Sequence, residues 1–132
     1  MKVNSIILAG GKSRRFGRNK IKEKFQGVTL LERLLDRLAN KEREILIITA
    51  DDSEIPELDK YSGCKIYHDI IPGKGSLGGI YTGLEKSDTF YNIVLAADMP
   101  FVNMSLINHM IEKVNDYDAV VPRLFGKVEP LH

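Results

Sequence analysis

Residues 6–20 read Ile6-Ile7-Leu8-Ala9-Gly10-Gly11-Lys12-Ser13-Arg14-Arg15-Phe16-Gly17-Arg18-Asn19-Lys20, a short apolar run that breaks into three glycines and five basic side chains. With Val3 at its start, the apolar half reads as a buried strand and the basic half as the turn that leaves it. Gly11-Lys12-Ser13 matches the end of a triphosphatase phosphate loop, but that motif needs a glycine five residues before Gly11, where Ile6 stands. The dinucleotide pattern Gly-x-Gly-x-x-Gly fails as well, because the glycines fall at 10, 11 and 17. What remains is a long glycine-containing turn. Gly10 and Gly11 let backbone N–H groups approach a phosphate, and Arg15 and Lys20 add mobile positive charge. The alternative reading is a plain basic turn.

Outward from this stretch, apolar runs recur at residues 44–50, 65–69, 91–97 and 117–122, each short and rich in β-branched residues. They read as buried strands. Between them, Leu30, Leu31, Leu34, Leu35 and Leu38 share one helical face, with Thr29 and Glu32 as a capping box. A second, glycine-loosened helix is expected over SLGGIYTGLEK (76–86). A third follows Asn103, with Leu106, Ile107, Met110, Ile111 and Val114 at core spacing. Residues 51–63 read as an acidic surface connection with room for one helical turn. Strand alternating with helix predicts an α/β, three-layer sandwich: a mainly parallel sheet with helices on both faces.

At 132 residues, 43% apolar and 28% charged, the chain has the composition of one soluble domain. No apolar run reaches the roughly 20 residues of a membrane span, and the N-terminus lacks a signal-peptide pattern. The single cysteine, Cys64, makes no internal disulfide; a cytoplasmic setting is expected. Net charge is +1, yet residues 10–24 hold seven basic side chains against one acid. Positive charge concentrated in one loop suits a small polyanion rather than nucleic acid.

In open α/β sheets ligands bind beyond the carboxyl ends of the strands. That rule directs attention to Gly10-Gly11, Ala50-Asp51, Asp69 and Asp98. Asp98, at the tip of a strand and followed by Met99-Pro100, is suited to hold Mg²⁺ bridging phosphate oxygens. Residues 73–83 contain five glycines, each costing a helix roughly 1 kcal/mol. Backbone pressed against a flat ligand would account for them, and so would tight packing of helix on sheet.

Leu8–Lys20, Gly75-Ser76-Leu77-Gly78-Gly79-Ile80 and Asp98-Met99-Pro100-Phe101, in that order, resemble the molybdenum cofactor guanylyltransferase family (molybdopterin-guanine dinucleotide biosynthesis protein A). This family belongs to the Rossmann-like nucleotidyltransferases. The resemblance implies transfer of GMP from GTP to molybdopterin with release of pyrophosphate. Leu8, Ala9, Gly10 and Gly11 would contact GTP, Lys20 would neutralise phosphate and Arg15 would hold the departing pyrophosphate. Asp69 would meet the nucleoside, Gly75, Gly78 and Gly79 would line the nucleotide, and Asp98 would bind Mg²⁺. Partners implied are GTP, molybdopterin and, transiently, other cofactor-biosynthesis proteins or target molybdoenzymes, with no nucleic acid and no membrane.

Cytidylyl and sugar-phosphate relatives share the first and last motifs, and a non-catalytic GTP/Mg²⁺-binding module is a further alternative. Phe16 stands where Met is common in the family. Gly126–His132 is similar to the start of a motif that continues in relatives. The expected domain, residues 1–132, therefore lacks a C-terminal part that completes the acceptor site.

Overall fold

The computed structural model describes residues 2–9, 24–25, 28–38, 44–49, 63–71, 75–97, 103–115, 117–121, 123–124 and 127–128. Its elements are β1 (Val3–Leu8), β2 (Lys24–Phe25), β3 (Val28–Thr29), α1 (Leu30–Leu38), β4 (Ile45–Thr49), β5 (Cys64–His68), α2 (Gly75–Lys86), β6 (Tyr91–Ala96), α3 (Met104–Lys113), β7 (Arg123–Leu124) and β8 (Lys127–Val128). Four strands form one sheet in the order β5-β4-β1-β6. All of its pairings are parallel, with Ile7 beside both Ile47 and Leu95.

Strand periodicity sorts the side chains into two cores. Ile7, Ile45, Ile47 and Leu95 face the side covered by Leu31, Leu34, Leu35 and Leu38 of α1 and Ile107 of α3. Ile6, Leu46 and Ile48 face the other side, with Leu8, Tyr67 and Val94 packed against them. On that side α2 covers the sheet through its glycines. A Cβ on Gly79 would stand 2.9 Å from Leu8 Cδ2, and one on Gly83 would stand 2.5 Å from Ile6 Cγ2. The expected three-layer α/β arrangement is therefore present, with helices on both faces.

The amino end of the sheet is tied by Asn4, which is fully buried. Its Nδ2 donates to Ser87 Oγ (3.2 Å) and Asp88 Oδ1 (2.9 Å), and its Oδ1 accepts from Glu44 N (3.2 Å). One side chain thus joins β1, the entry to β4 and the α2–β6 connection. The Asn4 hydrogen bond, and then Lys2, hold the Asp88 carboxyl below its usual range. Cys64 packs against the α1 side of the sheet, and burial pushes its thiol up to about 11, so it stays protonated and inert near neutral pH.

Several expectations are corrected. Residues 117–121 form no strand: Tyr117 N donates to Val114 O (3.0 Å) in the turn leaving α3, and Tyr117 and Val121 lie exposed. That backbone donor serves the helix end instead of a strand ladder. Leu106 is exposed; its backbone N–H is instead capped by Asn103 Oδ1 (3.2 Å), and Ile107 turns to the core. Two short antiparallel pairings, β2–β3 and β7–β8, were not expected. The side chain of Thr29, hence the capping box, and Ala50 with residues 51–62 of the expected acidic connection lie outside the described part.

Two substitutions test this packing. Gly83→Ala gains about 1 kcal/mol of helix propensity but forces a methyl onto fully buried Ile6, where overpacking costs about 1–3 kcal/mol. Urea unfolding is expected to show a net loss. Ser5 is fully buried and its Oγ has no hydrogen-bond partner among the described residues, so Ser5→Ala is expected to raise stability by about 1 kcal/mol; a decrease would contradict an unpaired hydroxyl.

Candidate functional site

The carboxyl ends of the four strands are joined to one another by hydrogen bonds that continue past the last strand residues. Ala9 N donates to Ile48 O (2.8 Å), Ala97 N to Leu8 O (3.0 Å) and Asp69 N to Thr49 O (3.0 Å). Ala9, Asp69 and Ala97 therefore lie along a single edge of the sheet, the edge where open α/β domains take their ligands. α2 starts at this edge with Gly75 and runs back across β1 and β4.

Of the residues singled out in the sequence, Leu8, Ala9, Asp69, Gly75, Gly78 and Gly79 are described. Leu8 ends β1 and packs under Gly79; Ala9 is fully buried on the α1 side. What these two residues can offer a ligand is backbone, since both side chains serve packing. Gly10, Gly11, Arg15, Lys20 and Asp98 lie outside the described residues. Their chain neighbours Ala9 and Ala97 are described and follow adjacent strands.

Asp69 leaves β5 in an Asx turn, Oδ1 accepting from Ile71 N (2.9 Å). This turn lies against α2. A Cβ on Gly78 would stand 2.7 Å from the Ile71 carbonyl oxygen and 3.2–3.3 Å from the two Asp69 carboxylate oxygens. The glycines of α2 thus have distinct structural reasons: Gly79 and Gly83 admit the side chains of β1, and Gly78 admits the turn that carries Asp69. Tight packing, one of the two explanations open from sequence, accounts for all three.

A residue missed from sequence is Thr82. It is fully buried, its Oγ1 accepts from Ile70 N (3.0 Å), and it lies four residues after Gly78 on the same face of α2. The available signal was spacing: Gly78, Gly79, Thr82 and Gly83 place small residues on one side of the helix, with one hydroxyl among them.

No group of three or more His, Cys, Asp or Glu able to hold a metal ion occurs among the described residues. No described helix is long and apolar enough to cross a membrane.

A parallel sheet covered on both faces, with a carboxylate and the glycine-rich start of α2 at its carboxyl edge, defines an open α/β domain. Residues 5–132 match the model of the MobA-like NTP transferase domain, and the chain belongs to that family. It is 36% identical over 132 residues to a probable molybdenum cofactor guanylyltransferase of Clostridium perfringens, covering 99% of this chain and 64% of the relative. A protein of the same description from Methanosarcina acetivorans is 38% identical over 138 residues, covering 98% and 61%. The crystal structure of molybdopterin-guanine dinucleotide biosynthesis protein A from Archaeoglobus fulgidus superimposes with a TM-score of 0.74 at 25% identity, over 97% of this chain and 64% of that one. The chain thus spans somewhat under two thirds of the length of the relatives it matches.

Gly78→Ala is expected to lower stability by about 1–3 kcal/mol, because the atom in its way is backbone and cannot swing aside. Hydrogen exchange should accelerate at the Ile71 amide, whose bond to Asp69 the added methyl displaces; unchanged exchange there would argue against the contact.

Proposed function

We propose that this chain is the GTP-binding portion of a molybdenum cofactor guanylyltransferase, which transfers GMP from GTP to molybdopterin. The observation that carries this reading is the pairing of β1 with β6, capped by the hydrogen bond from Ala97 N to Leu8 O (3.0 Å). The glycine-basic segment follows β1 in the chain and Asp98 follows Ala97, so adjacent strands lead to the two groups that phosphate chemistry requires. The relatives' description supplies the base and the acceptor.

In this reading the terminal phosphate of molybdopterin attacks the α-phosphorus of GTP. The new P–O bond forms as the bond to the β-phosphate bridging oxygen breaks, and pyrophosphate leaves in line. Leu8, Ala9, Gly10 and Gly11 present backbone to the nucleotide, and Gly75, Gly78 and Gly79 let α2 approach it closely. Lys20 counters charge on the α-phosphate, while Arg15 holds the departing pyrophosphate. Asp69 meets the nucleoside. Asp98 would hold Mg²⁺, which would supply positive charge to offset that of the phosphates. A cytoplasmic setting, and transient contact with other cofactor-biosynthesis proteins or target molybdoenzymes, belong to the same reading.

Calorimetry on the 132-residue chain with GTP, CTP and ATP, with and without Mg²⁺, tests the assignment. A Mg²⁺-dependent preference for GTP is expected; a preference for CTP would move the chain to the cytidylyl enzymes, and equal or absent binding would refute the guanylyl reading. In the longer enzyme, Asp98→Ala should abolish transfer and Lys20→Ala should lower it severely, each contact contributing roughly 3–4 kcal/mol in the transition state. Near-normal transfer by folded Asp98→Ala would remove the metal role.

A further inference from the structure

Asp69 is the described residue that this reading sets against the nucleoside, and its surroundings say more than its position. Thr82 Oγ1 accepts from Ile70 N (3.0 Å) and lies 2.9 Å from the Gly78 carbonyl oxygen and 3.3 Å from Asp69 Oδ1. Both of those oxygens are acceptors and a hydroxyl has one proton, so Thr82 divides its donation between them, the helix carbonyl being nearer. Asp69 Oδ1 also takes the Ile71 N–H. The turn Asp69–Ile71 is thereby fastened to α2 from two sides, by the Thr82 hydroxyl and by the absent side chain of Gly78.

One carboxylate oxygen is therefore occupied by the protein, and no described residue donates to the other, Oδ2. With Oδ1 engaged, Oδ2 is the oxygen left to accept N–H or O–H donors, and the two-oxygen clamp that a free carboxylate offers to paired donors is lost. Orientation of that oxygen depends on where the turn sits, and the turn sits where Thr82 holds it.

We propose that Thr82 is a positioning residue for nucleoside recognition: it holds the Asp69 turn against α2 so that one carboxylate oxygen is presented to an N–H or O–H of the nucleoside. The inference rests on the assignment of Asp69 to the nucleoside. It also gives Gly78 an indirect role, admitting the turn, besides any contact of its own with the nucleotide. Residues that orient a ligand-binding group in this way commonly change affinity without touching the ligand.

The test measures binding of GTP and of inorganic tripolyphosphate, each with Mg²⁺, to the 132-residue chain and to Thr82→Val and Thr82→Ser. Tripolyphosphate engages the phosphate-holding groups but has no nucleoside, so a merely structural defect would weaken both ligands alike. Thr82→Val is expected to weaken GTP about tenfold, as for a lost buried hydrogen-bond partner, with tripolyphosphate unchanged; Thr82→Ser, which keeps the hydroxyl, restores GTP. Dideoxy-GTP, lacking both ribose hydroxyls, separates the two sources of the donor. If its affinity is the same for wild type and Thr82→Val, the donor is a ribose hydroxyl; if it keeps the Thr82 dependence, the donor is a base N–H.

Wild-type GTP affinity in Thr82→Val, or equal loss of both ligands, overturns the proposal while leaving the guanylyl reading standing. Failure of the wild-type chain to bind GTP overturns both. Hydrogen exchange in the wild-type chain gives a check that needs no variant: the Ile70 amide should be protected like those of β5, and rapid exchange would overturn the role of Thr82.

Discussion

The close approach of α2 to β1 is the constraint on which the candidate site depends. Large side chains on the inner face of a helix hold it well away from a sheet, whereas Gly79 and Gly83 let Leu8 and Ile6 reach the helix backbone. Once α2 is that near, its first turns also meet the loop that leaves β5, and only glycine fits at position 78. The location of Asp69 is therefore a consequence of how closely a helix packs two strands away. Helix propensity opposes the arrangement at each glycine, by roughly 1 kcal/mol, and the burial of Ile6, Leu46 and Ile48 beneath α2 offsets that cost.

The small inner face has a counterpart outside. Leu77, Tyr81 and Leu84 are spaced 4 and 3 residues apart and are all at least half exposed, at 73%, 50% and 51%. In an ordinary surface helix such residues would face the sheet. Here the sheet-facing positions are occupied by Gly79, Thr82 and Gly83, so the large apolar residues are left on the opposite side. Inversion of the usual pattern explains why helical periodicity places α2 but not its orientation.

How much of this was legible follows from the kind of signal each part leaves. β1, β4 and β6 could be read within a residue at their ends, because strands in a doubly covered parallel sheet are short and largely apolar; β5 was placed as closely, but the expected burial is corrected, since Lys65, Ile66 and His68 lie exposed where β5 ends the described strand order. α1 was equally clear from its leucine stripe. The 117–121 segment carried the same apolar signature, Ala119-Val120-Val121, yet Tyr117 uses its backbone donor at the end of α3. Composition cannot register that competition. The antiparallel pairs β2–β3 and β7–β8, two residues in each strand, are too short for any period to show. In the site, Asp69 could be found from strand ends alone. Thr82 could not, since its importance lies in the backbone N–H of Ile70, a donor on a different element.

The two ends of the sheet show what distinguishes a structural polar cluster from a functional one. At the amino end, both ends of the Asn4 amide have protein partners, and Ser87, Asp88 and Thr89 extend the network, with Asp88 Oδ2 facing Lys2 (3.7 Å). Such a network fixes strand register and resists change. At the carboxyl end, Asp69 has one oxygen bound to the protein and another that no described residue donates to. A half-exposed carboxylate in that state tolerates the absence of a partner because water can serve it, and exchanges that water for a donor of comparable strength when a ligand arrives. The charge distribution acts in the same direction. Residues 10–24 carry a net six positive charges in a chain of net +1, leaving the remainder five units negative. A small polyanion is therefore attracted to one segment of the chain and repelled by the net charge of the rest.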